Sequence, residues 1–299
     1  MYGAGVTGVL LVVGCLSGLL EASVAAGEGH AKRMGGVVTV DDFVERVYDD
    51  GQGHQLPYRL FIPRGGAGSG GKQAGVMAPA RHPLVLFLHG AGGRGTDNRG
   101  QITDQDASLV FVKAENQAQW PVFMVAPQCP PDQQWVDMPW GAPTGKSKQP
   151  SKETWPLAAA IALVNSLRAQ YPGIDPHRLY VTGMSMGGYG TWDAAVRHPD
   201  LWKAAVIVCG GYDELTIAPL IRVRLPIWAF HAADDEAVPV NRSREMIAAL
   251  RAAGGTPRYT EYPASAHYGH FSWRPAYAEP DLLPWMFGRP PAAARSSSR

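Results

Sequence analysis

Eight short apolar runs punctuate the chain, at 43–48, 56–62, 84–89, 122–126, 179–182, 204–208, 227–230 and 258–262, each bounded by turn-forming residues. Runs such as Leu84-Val85-Leu86-Phe87-Leu88 and Ala204-Ala205-Val206-Ile207-Val208 are apolar at every position. Strands of that kind must be covered on both faces, as they are between two layers of helix. Helical patterns at 155–169, 187–197, 243–253 and 281–287 alternate with the later runs. Strand and helix in alternation predict an α/β fold: a mostly parallel eight-stranded sheet flanked by helices, with an antiparallel hairpin at its N-terminal edge.

The ends and one internal stretch fall outside this pattern. Positions 6–20 form an apolar run of 15 residues followed by Ala22-Ser23-Val24-Ala25-Ala26. That is shorter than the roughly 20 residues needed to span a bilayer and ends in small residues, so 1–26 reads as a signal peptide, although no Lys or Arg precedes the run. The expectation is a secreted or periplasmic protein without stable membrane insertion after processing; an uncleaved anchor or a lipoprotein is the alternative. Residues 27–36 read as a flexible mature N-terminus, 37–289 as one domain, 64–81 as a flexible inserted loop rich in Gly and Ala, and 290–299 as a disordered tail.

Composition narrows the function classes. The 299 residues are 45% hydrophobic and 18% charged, with a formal charge of +1, which fits neither a disordered chain nor a nucleic-acid-binding surface. The 35 Gly and 25 Pro carry no collagen-like period and therefore mark turns.

The sharpest chemical signal is Gly183-Met184-Ser185-Met186-Gly187-Gly188, placed directly after a strand and before a helix. G-x-S-x-G alone is common, but at a strand-to-helix turn it is the pattern of a nucleophile elbow, whose glycines tolerate crowding and whose Ser hydroxyl sits at a helix N-terminus. A Ser hydroxyl needs a base, itself oriented by a carboxylate, and in this arrangement the chain order is Ser, acid, His. The strand at 227–230 runs into His231 and then Asp234-Asp235-Glu236. Asp235 is the candidate acid and Asp234 the reserve. Only His267 and His270 follow, so one of them is the candidate base. An oxyanion hole requires backbone N–H donors. Met186, following Ser185, supplies one; the loop His89-Gly90-Ala91-Gly92-Gly93 supplies the other, at Ala91 or, behind it, Gly92.

Other patterns carry less. G-x-G-x-x-G occurs from Gly3, Gly66 and Gly90, but none continues into the helix a dinucleotide needs, and Gln73 stands where a phosphate-binding loop requires Ser or Thr. His267 and His270 lack a third metal ligand and a helix to present them. No cofactor and no metal is expected.

With elbow, acid and His in place, the chain resembles the α/β-hydrolase superfamily, and within it the secreted esterases grouped with polyhydroxyalkanoate-depolymerase-like, feruloyl-esterase-like and predicted-peptidase proteins. The resemblance rests on Leu88 to Gly92 with Arg94-Gly95-Thr96-Asp97-Asn98, Ala126 to Pro130 with Trp135, Tyr180 to Trp192, Cys209-Gly210-Gly211, His231 to Pro239, and His270-Phe271-Ser272-Trp273 with Ala276-Tyr277. It implies His270 as the base, because the family's His precedes x-x-Trp, and Asp235 as the acid. Ala232, where the family has Gly, is a departure that bears on the register of Asp234 and Asp235. The implied strand order places two strands between those leading to Cys129 and Cys209, and three spacings of about 4.8 Å exceed the roughly 7 Å Cα limit of a disulfide, so both are expected as free thiols.

The expected function is hydrolysis of carboxylic esters, small or polymer-borne, through an acyl-enzyme. Trp135, Trp140 and Trp273 are candidates for walls of the substrate pocket. A serine peptidase of the same fold and a non-catalytic binding protein are the alternatives; the chain lacks a propeller-sized N-terminal region to gate peptides, which favours the esterase. Oligomeric state and the acyl and alcohol groups are left open by the sequence.

Overall fold

A computed structural model describes residues 38–64, 81–141 and 148–288. The proposed signal peptide at 1–26, the N-terminal stretch at 27–36, residues 65–80 of the inserted loop and the tail at 290–299 lie outside the described residues.

Eight strands build one sheet: β1 (Val44–Asp49), β2 (Gln55–Phe61), β3 (His82–Leu88), β4 (Phe123–Pro127), β5 (Ile174–Met184), β6 (Ala204–Val208), β7 (Ile227–Ala232) and β8 (Arg258–Tyr262). Their spatial order is β1-β2-β4-β3-β5-β6-β7-β8. β1 pairs antiparallel with β2 and β2 antiparallel with β4, while every pair from β4 to β8 is parallel. The helices are α1 (Gly100–Thr103), α2 (Ala114–Gln119), α3 (Trp155–Gln170), α4 (Met186–Arg197), α5 (Ala218–Val223), α6 (Asn241–Ala252), α7 (Trp273–Tyr277) and α8 (Leu282–Phe287).

The two-residue period of a strand distributes the apolar runs over two cores. Along β3, Leu84, Leu86 and Leu88 enter one core with α3 and α4, while Val85 and Phe87 enter the other with α7 and α8. Along β6, Ala205 and Ile207 take the first side and Ala204, Val206 and Val208 the second. This two-sided burial is why these runs are apolar throughout. The short helices α1, α2, α5 and α7, of four to six residues, give no periodic signal of their own and are fixed by packing.

Parallel strands all deliver their carboxyl ends to one edge, where the following loops converge into a crevice. Ser185 follows β5, Cys209 follows β6, Asp235 follows β7 and His270 follows β8. Cys129 and Cys209 are both buried free thiols, with β3 and β5 between the strands they follow. Among the described residues, no helix is long and apolar enough to cross a membrane.

Candidate active site

The elbow is set by backbone crowding. Ser185 adopts φ 56° and ψ −122°, left-handed backbone for a residue with a Cβ, between the end of β5 and the start of α4. Such conformations cost about 1–3 kcal/mol and persist where the surroundings fix them. Here the Ser185 N–H donates to the Val208 carbonyl at 3.0 Å, and the Ser185 carbonyl accepts the Tyr189 N–H at 3.1 Å. A side chain at Gly183 would lie 2.6 Å from the Leu88 oxygen, and one at Gly187 2.5 Å from the Leu88 carbonyl carbon and 2.8 Å from the His89 oxygen. The first turn of α4 therefore rests against the end of β3, which brings the 89–93 loop beside Ser185.

Three of the sequence candidates meet in a chain of hydrogen bonds. His270 Nε2 lies 2.9 Å from Ser185 Oγ, and His270 Nδ1 lies 2.9 and 3.0 Å from the two Asp235 oxygens. In the resting tautomer Nδ1–H donates to Asp235 and Nε2 accepts the Ser185 hydroxyl proton. Burial of Asp235 works to raise its pKa, but hydrogen bonds from His231, from His270 and from the Val238 N–H overcome it and hold the carboxyl below the usual range. Asp235 Oδ1 accepts from Ala237 N–H at 2.9 Å and Val238 N–H at 2.8 Å. The reserve residues stay outside this chain: His267 is an exposed turn residue with φ 54°, and a buried oxygen of Asp234 has no hydrogen-bond partner.

The loop carrying Ala91 is built as a short 3-10 turn, Ala91–Gly93, behind Gly90. His89 anchors it from beneath. Its Nδ1–H donates to the Gly90 carbonyl at 2.6 Å and its Nε2 accepts the Cys129 N–H at 3.0 Å. Burial lowers the His89 pKa to about 4, so the ring is neutral and can make both bonds. The Met186 N–H is one of the orphan donors at the start of α4.

The tryptophans divide. Trp135 is fully buried, its Nε1–H spent on the His89 carbonyl at 3.1 Å and its ring edge-on to His89. It supports the loop from inside and is not an open pocket wall, a correction to the sequence expectation. Trp273 is also buried; its ring stands edge-on to His270 at 5.3 Å and lines a cavity of about 450 Å³ with Tyr277, Trp120 and Lys113. Trp140 is half-buried, its carbonyl accepting the Tyr189 hydroxyl at 3.1 Å. Exposed Tyr268 and Phe271 flank His270.

The sequence assigns no role in the site to His231 or to Ser243, the first residue of the helical pattern at 243–253. His231 Nε2 lies 3.2 Å from Asp235 Oδ2 and 2.9 Å from the Val238 carbonyl, and its Nδ1 lies 2.8 Å from Ser243 Oγ. The only available signal was the four-residue spacing of His231 and Asp235, which reads as a loop without the fold. Cys209, Asp235 and His270 form the one cluster of three possible metal ligands among the described residues. Burial pushes the Cys209 thiol far above its ordinary pKa, and Asp235 and His270 are already hydrogen-bonded to each other and, through His270, to Ser185.

Residues 145–277 match the sequence profile of the dienelactone hydrolase family. A protein of Methylorubrum extorquens, provisionally named carboxymethylenebutenolidase, is 33% identical over 120 residues, 37% of this chain and 41% of that protein. The solved structure of a thermostable esterase is 38% identical, with a TM-score of 0.71 over 84% of this chain and 64% of that one. A ferulic acid esterase structure shares the fold at 15% identity and a TM-score of 0.56, over 82% of this chain and 98% of that one. The chain thus spans less than half of the first relative and just under two thirds of the thermostable esterase.

Proposed function

We propose, from the premise that the chain belongs to the α/β-hydrolase superfamily, that it is a serine hydrolase cleaving carboxylic esters. The observation that carries this reading is the unbroken chain from Ser185 Oγ through His270 to Asp235. Ser185 Oγ attacks the ester carbonyl while His270 Nε2 takes its proton, and Asp235 holds the ring and stabilises the imidazolium that forms. The N–H groups of Ala91 and Met186 receive the oxyanion. Collapse of the tetrahedral intermediate returns the proton from His270 to the departing alkoxide and leaves an acyl group on Ser185. A water molecule, deprotonated by His270, then releases the acid and restores the hydroxyl. These steps need no cofactor.

The apolar leader at 6–20 supports export, with the mature chain beginning near residue 27. Half-buried Trp140 and the exposed rings of Tyr268 and Phe271 support an acyl or alcohol group with aromatic or apolar character. The test is hydrolysis by wild type and Ser185→Ala of a panel of nitrophenyl esters, aryl-acid methyl esters, a carboxymethylenebutenolide and a peptide nitroanilide. Ester turnover lost in Ser185→Ala supports the proposal; full ester turnover in that variant, or turnover of the peptide alone, overturns it.

A further inference from the structure

The carboxylate of Asp235 is shared by two imidazoles. His270 approaches from the crevice, and His231, fully buried on β7, approaches from the interior with Nε2 3.2 Å from Oδ2. The proton on Nε2 of His231 follows from its neighbours. Around Nε2 stand the Val238 carbonyl at 2.9 Å and the Asp235 carboxylate, both acceptors only, so Nε2 must carry a proton. On the other side Nδ1 meets Ser243 Oγ at 2.8 Å, and that hydroxyl lies 2.9 Å from the Gly210 carbonyl. Ser243 is itself fully buried on α6. The ring is thus fixed at both nitrogens, and one face of the Asp235 carboxylate is fixed with it.

The two oxygens of Asp235 have separate holders. Oδ1 is bound by the N–H groups of Ala237 and Val238, and Oδ2 by His231, which leaves the side toward His270 open for a single ring in a single orientation. We infer that His231 is a positioning residue of the active site: its Nε2–H, braced by Ser243, sets the plane of the Asp235 carboxylate and through it the orientation of His270. This rests on Asp235 being the acid of the proposed mechanism. Beyond that, it assigns a hydrolytic role to a side chain that touches neither substrate nor Ser185. His231 also clamps the 235–238 loop through the Val238 carbonyl, so the test must separate positioning from loop stability.

His231→Leu removes the donor while keeping an apolar side chain of similar reach, and His231→Gln keeps an N–H near the place of Nε2. The expected result is a kcat about 10- to 100-fold lower in His231→Leu, the range set by loss of a charge-assisted hydrogen bond, with KM unchanged and most of the loss restored in His231→Gln. Equal losses in both variants, a kcat within twofold of wild type in His231→Leu, or a change confined to KM would overturn the inference. Asp235→Asn in parallel separates the two claims: if it retains activity the acid assignment fails, whereas if it is inactive while His231→Leu is not, only the role of His231 fails. Should His231→Leu not fold, ¹⁵N-imidazole NMR of the wild-type protein reads the tautomer directly. A protonated Nε2 on His231 is expected, and an unprotonated one refutes the placement of its donor on Asp235.

Discussion

Replacing Gly187 by Ala asks whether the contact between α4 and the end of β3 sets both the fold and the site. The added methyl would overlap the Leu88 carbonyl oxygen and lie 2.5 Å from the Leu88 carbonyl carbon and 2.8 Å from the His89 oxygen, all backbone atoms that cannot turn aside. Ordinary contact begins near 3.5 Å, so helix and strand must part by at least roughly 1 Å. Overpacking of a tight core costs about 1–3 kcal/mol, and a clash with backbone belongs at the upper end of that range. Replacing Gly in a helix returns up to about 1 kcal/mol, leaving a net loss of about 2 kcal/mol. For a domain of this size that lowers the melting temperature by about 4–8 °C. The same 1 Å displaces the Ala91 loop from Ser185, and a misplacement of that size costs on the order of 100-fold in rate. Urea unfolding followed by tryptophan fluorescence, together with kcat on an activated ester, measures both. Gly141→Ala is the control, since among the described residues its methyl would meet only the Ala237 oxygen at 3.5 Å and should change stability by less than about 1 kcal/mol. A Gly187→Ala protein with the wild-type unfolding midpoint and kcat would refute the close approach on which the elbow depends.

Ser185→Gly removes the nucleophile together with its strained backbone, so ester hydrolysis is lost while the unfolding free energy rises by about 1 kcal/mol; a fall in stability would show that φ 56° carries no strain. Because burial depresses His89 to about 4, its neutral ring contributes stability that is complete above about pH 6.5 and lost as the pH falls toward 4. Unfolding of His89→Gln should accordingly vary less with pH across that window than unfolding of wild type, and identical slopes would place the titration elsewhere. Trp135→Phe loses the bond to the His89 carbonyl, for a cost of about 1 kcal/mol, with KM unchanged; an altered KM at unaltered stability would return that ring to the substrate pocket.

Much of the framework was written locally. The β3 and β6 runs declare two-sided burial by having no polar position, and Gly183 to Gly188 declares a crowded strand-to-helix turn because each glycine answers a nearby backbone atom. The order of Ser185, Asp235 and His270 then follows from which strand ends can meet. What the sequence concealed depends on contacts between distant segments. His231 and Ser243 are 12 residues apart and belong to a strand and a helix, and nothing in either segment announces that their side chains meet behind Asp235. Trp135 looked like a pocket wall because an aromatic residue in a loop is equally suited to lining a cleft or filling a core; the His89 carbonyl within reach of its indole N–H decides for the core. Asp193 is another case, a fully buried carboxylate on α4 whose pKa is raised by burial and which is held by the Tyr212 hydroxyl and by Arg197 at 2.7 Å. Its partners come from the loop after β6 and from the next turn of α4, so only the fold brings all three together.

The central claim is that Ser185 is an activated nucleophile. Mass spectrometry of the purified, folded protein after exposure to a fluorophosphonate tests it most directly, with Ser185→Ala as the parallel sample. One adduct on Ser185, absent from the variant, is the predicted result; folded protein with Ser185 unmodified, or an equal adduct in the variant, would contradict it.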